Sequence, residues 1–506
     1  MLHNLKDMLL RNQEHSLKLQ SIRAAVWTGL GKGGGSFLRL VSSLILTRLL
    51  FPEVFGLMAT ASVILAMVQL FSDTGIRTAI IQNPRGDEPA YLNTSFIISI
   101  LRSLLLFFVV AMLIDPLSVF YNQPELKPLL LFMAFSILLD GIKNPALPLV
   151  IKRLEADKQV SYELGTQFLG FMTTILFAFT LRSVWALAWG AVLTSFYRFI
   201  FSYVVERYKP RLAWDRDAGK ELFHFGKFIF LNTLITWATM NMDRLILGKY
   251  LGMETLGYYN IGLNIGLLIE VLIVQIFAQS LFPAISKVAG DKERVIRIFR
   301  RSNSLLLTVA TPVLVTQALF ATTLVDILYD PRYATAAVAL MWIAFRGVPR
   351  TIGIIQGGTF VAVGKPAYET IAMAGGLIML LVLLPHAASK WGLFGACVTV
   401  FSSGVLISLL QSLLMWKKLG YPLAEIIRPW LHVGFLSALI FSCFFVLEPI
   451  LSSELYGNLP FMMVMAGIAA GLSLLVYLNI EGTQPFKDTG LQRNGFSSVK
   501  TEGNEL

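Results

Sequence analysis

Ten basic side chains lie within or beside the long apolar stretches of this sequence. An Arg or Lys at the centre of a lipid-facing helix costs about 2.5–3.5 kcal/mol, so ten of them cannot all face lipid. Lys227, Arg244 and Arg198 are expected to reach the membrane surface from helix ends, and the others favour a polar, water-filled interior. Guanidinium groups bond phosphate oxygens in pairs, and such a cavity therefore suits an anionic substrate, with phosphate or pyrophosphate as the best match. The ten residues are Lys32, Arg39, Arg77, Arg102, Lys143, Arg198, Lys227, Arg244, Arg346 and Arg350.

Five of the ten are candidate substrate ligands in this cavity: Lys32, Arg39, Arg77, Arg346 and Arg350. Arg346 and Arg350 are four residues apart, which places both on one face of a predicted helix. That spacing allows both side chains to reach one anionic head group. It equally allows the pair to hold two helix ends together.

Acidic residues in the apolar stretches are half as numerous, and two of them are candidates for coupling transport to an ion. Glu270 has no basic neighbour in its own predicted helix, which makes it the stronger candidate. Asp73 lies four residues before Arg77, a spacing that favours a structural ion pair. The predicted interior is therefore net cationic.

No pattern typical of an enzyme or a metal centre accompanies these charges. Five histidines are scattered, and Cys397 and Cys443 lie inside apolar runs where thiols usually act as buried spacers. The glycines around Lys32 lack the spacing of a nucleotide-binding loop, because Val26 occupies the first glycine position and Gly33 follows the lysine. We therefore predict no catalytic residue, no cofactor and no metal site.

The elements that position these charges are transmembrane helices. Of the 506 residues, 55% are hydrophobic and 14% are charged, and a mean hydropathy of +0.67 places most of the chain in lipid. Fourteen windows are long enough to cross a bilayer. They cover residues 22–47, 54–81, 92–114, 128–151, 161–181, 184–205, 224–248, 256–286, 303–326, 334–362, 367–386, 391–415, 430–447 and 459–480.

The distribution of basic residues orients these helices. The two tails and the even-numbered connections hold 26 Lys and Arg residues, whereas the odd-numbered connections hold six. Basic residues are retained on the cytoplasmic side, so both termini are predicted to be cytoplasmic. Topology thus explains the net charge of +11 without nucleic acid as a partner. The polar first 20 residues lack the features of a cleaved signal peptide.

One hairpin sequence occurs twice. Residues 44–56 read LILTRLLFPEVFG and residues 245–257 read LILGKYLGMETLG, with six identities in thirteen positions. Weaker similarities relate 120–130 to 328–338 in the same order. Because six helices separate the copies, we expect a parallel repeat. The predicted fold is an all-α polytopic membrane protein with two parallel-repeat six-helix bundles around a central cavity and an additional C-terminal helix pair.

The domain boundaries follow from these windows and from the polar segment after the sixth helix. The predicted units are a cytoplasmic N-terminal segment (1–21), a first six-helix bundle (22–206), a cytoplasmic linker (207–223), a second six-helix bundle (224–415), an extra helix pair (416–480) and a disordered cytoplasmic tail (481–506). Basic residues in 287–301 favour either a short helix on the inner membrane surface or a cytoplasmic loop.

Several short motifs resemble those of a known family. They are Arg48 followed by Phe55-Gly56-Leu57, Ser72 to Ile76, Ile80 to Gln82, Asn241 to Arg244, Gly257 to Asn260, and Leu281 to Ala284. Together they resemble the polysaccharide transporter family of Wzx-type oligosaccharide flippases, and most nearly its colanic acid exporter branch. This family belongs to the multidrug/oligosaccharidyl-lipid/polysaccharide exporter superfamily. The resemblance runs from about residue 20 to 420.

The resemblance implies a function. A polyprenyl-pyrophosphate-linked oligosaccharide would move from the cytoplasmic to the periplasmic leaflet of a bacterial inner membrane by alternating access, for surface polysaccharide biosynthesis. The implied partners are this lipid-linked substrate, membrane lipids, and the polysaccharide polymerase and export machinery. Two alternatives stay open. A multidrug cation antiporter of the same superfamily would prefer an acidic cavity, and a membrane glycan polymerase or ligase would be expected to carry a large outer loop or a soluble catalytic domain.

Overall fold

The computed structural model describes residues 27–29, 31–71, 76–277, 281–447 and the single positions 467 and 471. This part of the chain is helical and contains no strand. The predicted units 1–21 and 481–506 and the window 459–480 lie outside it, apart from those two positions. The helices are α1 (31–49), α2 (Pro52–Phe71), α3 (Ile76–Gln82), α4 (Pro89–Tyr121), α5 (Leu126–Gly141), α6 (Leu147–Lys152), α7 (Ala156–Leu181), α8 (Val184–Val205), α9 (Arg216–Tyr250), α10 (Gly252–Ile276), α11 (Phe282–Lys287), α12 (Lys292–Leu319), α13 (Ala321–Leu328), a 3-10 turn (Pro331–Tyr333), α14 (Ala336–Ala362), α15 (Ala367–Leu419) and α16 (Leu423–Leu447).

Eight of the described helices are long and apolar enough to cross a bilayer. The prediction of an all-helical membrane protein is thus confirmed, while the number of fourteen spans stays a prediction. The longest helix, α15, has 53 residues and would extend about 80 Å if straight, far beyond a bilayer. It breaks at Gly392, and the Ser403 hydroxyl donates to the Gly376 carbonyl at 3.2 Å. The two halves therefore fold back on each other, as the windows 367–386 and 391–415 predicted.

The break in α15 depends on glycine. Gly392 has φ 58° and ψ −144°, a conformation open almost only to glycine, whereas Gly420 has φ 63° and ψ 39°, which asparagine tolerates. We expect Gly392→Asn to destabilise the protein by about 1–3 kcal/mol. Its midpoint of thermal unfolding in detergent should fall, while Gly420→Asn should leave the midpoint nearly unchanged. Equal midpoints for the two variants would contradict this account.

The non-helical connection between the two halves of the chain is shorter than the predicted linker 207–223. Residues 206–215 are not helical, and Asp215 caps α9 by accepting a hydrogen bond from the Ala218 N–H at 2.8 Å. The buried side chain of Asn93 in α4 fixes the preceding segment, because its Oδ1 accepts from the Tyr208 hydroxyl at 2.9 Å. The connection between the halves is thus tied to α4.

The basic segment 287–301 is neither a surface helix nor a loop, and both sequence interpretations of it were wrong. Most of it forms the first turns of α12, which Asp291 caps by accepting from the Arg294 N–H at 3.1 Å. Val295 and Phe299 are 2% and 0% exposed. Their burial explains the outcome, since packing of the apolar face joins these turns to the span.

The two copies of the repeated hairpin pack directly against each other. A Cβ atom on Gly56 of α2 would lie 1.8 Å from the Met253 carbonyl oxygen of α10, and one on Gly257 would lie 1.9 Å from the Pro52 carbonyl oxygen. Each glycine therefore receives the backbone of the other copy. The contact is reciprocal, because Pro52 and Met253 are equivalent positions of the repeat. We call these four residues the glycine crossing.

Further hydrogen bonds near the glycine crossing also join the two halves of the chain. The Tyr121 hydroxyl donates to the Leu245 carbonyl at 3.3 Å, and the Tyr329 and Ser43 hydroxyls lie 3.2 Å apart. Under the sequence repeat, Tyr121 corresponds to Tyr329 and Leu245 to Leu44, which follows Ser43. Each half thus supplies a tyrosine to the equivalent helix of the other half.

Candidate functional site

The predicted cavity residues of the first half are exposed. Lys32 and Arg39 lie on α1, where Arg39 Nη2 donates to Ser36 Oγ at 2.9 Å. Arg77 lies at the start of α3 and is also exposed. Asp73 falls outside the described residues, so the predicted ion pair with Arg77 stays a prediction. The structure does not bring these three cations to the two predicted in the second half.

The second half contains a buried cluster of three charges, which we call the Glu270 triad. Arg346 Nη2 lies 3.4 Å from Glu270 Oε2, and Arg350 Nε lies 3.3 Å from Glu270 Oε1. Their side chains are 17%, 13% and 10% exposed for Arg346, Arg350 and Glu270. The two arginines do share one face of α14, as their spacing predicted. Glu270 of α10 is bound by both, so its apparent lack of a basic partner no longer favours it for ion coupling.

Small residues allow the helices around the triad to approach one another closely. A Cβ atom on Gly266 of α10 would lie 2.5 Å from Ile343 of α14, and one on Gly404 of α15 would lie 2.9 Å from Arg346 Cγ. The Arg346 side chain thus fills the space that Gly404 leaves open. Because α10, α14 and α15 meet here, the two guanidinium groups are held in fixed positions rather than on flexible surface side chains.

A second buried carboxylate lies beside the triad. Asp243 of α9 is 2% exposed, and its Oδ2 accepts a hydrogen bond from the hydroxyl of Tyr259, which is 0% exposed. The charges of Asp243 and Glu270 both act on Arg346. Sequence reasoning noted Asp243 within a motif without selecting it, because its partner lies on another helix.

The bond between Tyr259 and Asp243 gives a testable contribution to stability. Removing the hydroxyl leaves a buried carboxylate oxygen without its donor, so we expect Tyr259→Phe to destabilise the protein by about 1–3 kcal/mol. The neighbouring Tyr258 donates to the exposed Glu254 at 2.7 Å. Tyr258→Phe should therefore change the midpoint of thermal unfolding much less. A smaller effect at position 259 than at 258 would refute this ranking.

The first half contains a polar cavity of its own, with a volume of about 100 Å³ between α2, α4 and α5. Asp140 lines it and forms an ion pair with Lys143 at 2.7 Å. Arg102 also lines it and donates to the Gln69 carbonyl at 3.2 Å. Arg102 is the one cation among the residues that line this cavity, whereas two guanidinium groups converge on Glu270, so the Glu270 triad is the better candidate for binding an anion. Within the described ranges, no group of three or more His, Cys, Asp or Glu could hold a metal ion.

Comparison with known proteins gives relatives in polysaccharide biosynthesis. The lipopolysaccharide biosynthesis protein WzxC of Escherichia coli (strain K12) is 25% identical over 69% of this chain and 71% of its own length. The succinoglycan biosynthesis transport protein ExoT of Rhizobium meliloti (strain 1021) is 24% identical over 76% of this chain and 82% of its own length.

A solved structure confirms the fold. The lipid II flippase MurJ in an inward closed conformation matches with a TM-score of 0.68 over 91% of this chain and 99% of that chain, at 13% identity. At that identity the likeness establishes the fold alone. The family model described as "Polysaccharide biosynthesis protein" matches residues 45–338, more than half of the chain. The resemblance drawn from the short motifs is therefore confirmed, and this multi-pass, all-helical membrane protein belongs to the polysaccharide biosynthesis protein family.

Proposed function

We propose that the protein is a flippase that moves a polyprenyl-pyrophosphate-linked oligosaccharide from the cytoplasmic to the periplasmic leaflet for surface polysaccharide biosynthesis. The family match supports this proposal, as do the name of ExoT as a transport protein and the fold shared with a lipid II flippase. The observation that carries it is the Glu270 triad, where two buried guanidinium groups converge on one carboxylate.

In the proposed mechanism, Glu270 occupies the place of the substrate anion. Breaking a buried ion pair by removing one partner is strongly unfavourable, so the arginines need an anionic partner in every state. The carboxylate serves while no substrate is bound. A pyrophosphate offers more oxygens and more negative charge than one carboxylate, so it displaces Glu270 from Arg346 and Arg350. After release, Glu270 returns and allows the empty protein to reset.

In this cycle, the glycine crossing closes one side of the cavity between the two bundles. We assign it to the periplasmic side, because basic residues are rare in the connections predicted there. Backbone contact at both glycines closes the gap between the bundles on this side. Alternating access then requires α2 and α10 to separate before the substrate is released. In this scheme Lys32, Arg39 and Arg77 of the first bundle line the opposite side of the cavity and attract the anionic head group.

The protein lies in the bacterial inner membrane with cytoplasmic termini, and its two six-helix bundles (22–206 and 224–415) move relative to each other around the linker. The lipid-linked oligosaccharide enters from the cytoplasmic leaflet and is released into the periplasmic leaflet, where the polymerase and export machinery are the next partners. A multidrug cation antiporter is the alternative function, but the two guanidinium groups that converge on Glu270 would repel a cationic substrate.

Deletion of the gene tests the proposal. Lipid-linked oligosaccharide should accumulate on the cytoplasmic leaflet and surface polysaccharide should be lost, and the wild-type gene should restore both. Unchanged surface polysaccharide combined with increased drug sensitivity would instead support the antiporter. Incorporation of sugar by the purified protein without translocation would support a polymerase or ligase.

A further inference from the structure

A small polar cavity lies between α12 and α16. Two arginines line it, one from each helix: Arg300 of α12 and Arg428 of α16. Asn303, Glu425 and His432 also line it. The volume of about 20 Å³ admits one small polar group. The cavity therefore combines two guanidinium groups with room for little more than a hydroxyl group or a water molecule.

The cavity lies at the level where the charged part of each helix ends. No Asp, Glu, Lys or Arg follows Arg301 within α12, and none follows Arg428 within α16. Membrane helices place their last charged side chains at the level of the lipid head groups. The distribution of basic residues predicts that this end of both helices faces the cytoplasm, where the leaflet is rich in anionic lipids.

Glu425 fixes the guanidinium group of Arg300 beside the cavity. Arg300 Nε donates to Glu425 Oε2 at 2.9 Å, and Arg300 Nη2 lies 2.6 Å from Glu425 Oε1, which makes a two-point bond. The Glu425 side chain is 11% exposed, whereas that of Arg300 is 45% exposed. A guanidinium group has five N–H donors, and this bond uses two of them. Arg300 is thus held in place while its exposed side can donate to an anion.

Asn303 has a buried acceptor that lacks a donor. The residue is 2% exposed, and its Nδ2 donates to the Phe299 carbonyl of the same helix at 3.0 Å. This bond fixes the orientation of the amide, because the opposite orientation would place Oδ1 against a carbonyl oxygen. Oδ1 accepts no hydrogen bond from the described part of the chain. A buried acceptor without a donor is unfavourable, so the cavity favours a group that donates, such as a hydroxyl.

An apolar surface continues from the cavity along α16. Arg428, Leu431 and Phe435 are spaced three and four residues apart, which places them in one row. Leu431 is 67% exposed and Phe435 is 55% exposed. In a membrane span such side chains face the acyl chains. A free phosphate would gain nothing from this row, whereas a lipid with its head group at the cavity would lie along it.

We propose that the cavity between α12 and α16 binds the head group of phosphatidylglycerol in the cytoplasmic leaflet. The phosphodiester, with its single negative charge, lies at the mouth between Arg300 and Arg428. A hydroxyl of the glycerol head donates to Asn303 Oδ1. The acyl chains follow Leu431 and Phe435, and the lipid joins α16 to α12 because it contacts both. This site is independent of the proposed function, since lipid binding is measured without transport.

Lipid binding by the purified full-length protein is the first test. Native mass spectrometry would compare phosphatidylglycerol, phosphatidylethanol and phosphatidylethanolamine with identical acyl chains. Phosphatidylethanol keeps the phosphodiester but lacks the hydroxyls, so the wild type should bind it roughly 2- to 10-fold more weakly than phosphatidylglycerol. Zwitterionic phosphatidylethanolamine should bind least. Equal binding of the three lipids would mean that the cavity holds water only, which would overturn the inference. Displacement of phosphatidylglycerol by an equal concentration of glycerophosphoglycerol, the head group without acyl chains, would contradict a lipid as the ligand.

Three variants locate the site. Asn303→Leu should bind phosphatidylglycerol and phosphatidylethanol equally, because it removes the acceptor for the hydroxyl. Arg428→Gln should weaken the binding of both anionic lipids by roughly 5-fold, as expected for one basic residue at the head groups. Arg294→Gln is the control on α12 and should keep the wild-type affinities, because this side chain is 68% exposed and pairs with Asp291. A preference for phosphatidylglycerol that survives in Asn303→Leu would overturn the inference.

Thermal unfolding separates lipid binding from damage to the fold. Added phosphatidylglycerol should raise the midpoint of thermal unfolding of the wild type and of Arg294→Gln, because a ligand that binds only the folded protein stabilises it. The rise should be smaller in Asn303→Leu and in Arg428→Gln, whatever their midpoints without lipid. A rise of the same size in all four proteins would show that the lipid binds elsewhere.

Discussion

Replacing Gly56 with alanine is expected to inactivate transport, because the new methyl group would lie 1.8 Å from the Met253 carbonyl oxygen. The clash is with backbone, so α2 and α10 must separate to relieve it. Overpacking of this kind is unfavourable by about 1–3 kcal/mol or more. The state with a closed crossing should therefore lose population by roughly 5- to 150-fold. The measurement is complementation of a deletion strain, with the protein level determined in the membrane.

The reciprocity of the crossing provides a matched variant. Gly257→Ala places its methyl group 1.9 Å from the Pro52 carbonyl oxygen and should have an effect of the same size. Gly165→Ala is the control, because a Cβ atom there would meet no atom within 4 Å. It should transport normally. Full complementation by Gly56→Ala would show that the crossing need not close in the cycle.

Glu270→Gln is expected to separate substrate binding from turnover. The substitution leaves two largely buried guanidinium groups without their carboxylate. Removing one partner of a fully buried pair lowers the free energy of unfolding by about 3–5 kcal/mol. The loss is smaller here because the side chains are 10–17% exposed. Inorganic pyrophosphate should restore the midpoint of thermal unfolding in the variant far more than it raises that of the wild type. Transport should fall, because no group replaces the substrate after release.

A more exposed ion pair, with side chains 35% and 30% exposed for Arg332 and Asp330, is the control for Glu270. Asp330 lies 2.8 Å from Arg332 near the glycine crossing, and the hydrogen bond from this guanidinium lowers the pKa of the Asp330 carboxyl. Pairs at the surface contribute little, so Asp330→Asn should barely change stability and should gain nothing from pyrophosphate. A Glu270→Gln protein that is as stable as the wild type and indifferent to pyrophosphate would contradict the proposed exchange of anions.

The sequence predicted the features that depend on local spacing. Hydropathy located the described membrane helices, and the separation of Arg346 from Arg350 placed both on one face of α14. The repeated hairpin indicated that residues 44–56 and 245–257 are equivalent, but not that they touch. That contact depends on how α2 and α10 cross. In the sequence, only Gly56 and Gly257 indicate that the two backbones approach each other.

Features that depend on pairing between helices could not be predicted. Glu270 binds arginines 76 and 80 residues away, and no periodicity within one helix relates them. The start of α12 was misassigned since its basic residues resemble a surface segment, whereas the burial of Val295 and Phe299 joins them to the span.

Translocation by the purified protein tests the central claim most directly. Proteoliposomes would contain a polyprenyl-pyrophosphate-linked oligosaccharide on one leaflet, and its appearance on the other would be followed with a glycosidase that cannot cross the bilayer. We expect the wild type to exchange the lipid between leaflets, and we expect the double variant Arg346→Ala with Arg350→Ala to fail to do so. Equal rates for the wild type, the double variant and protein-free vesicles would contradict it.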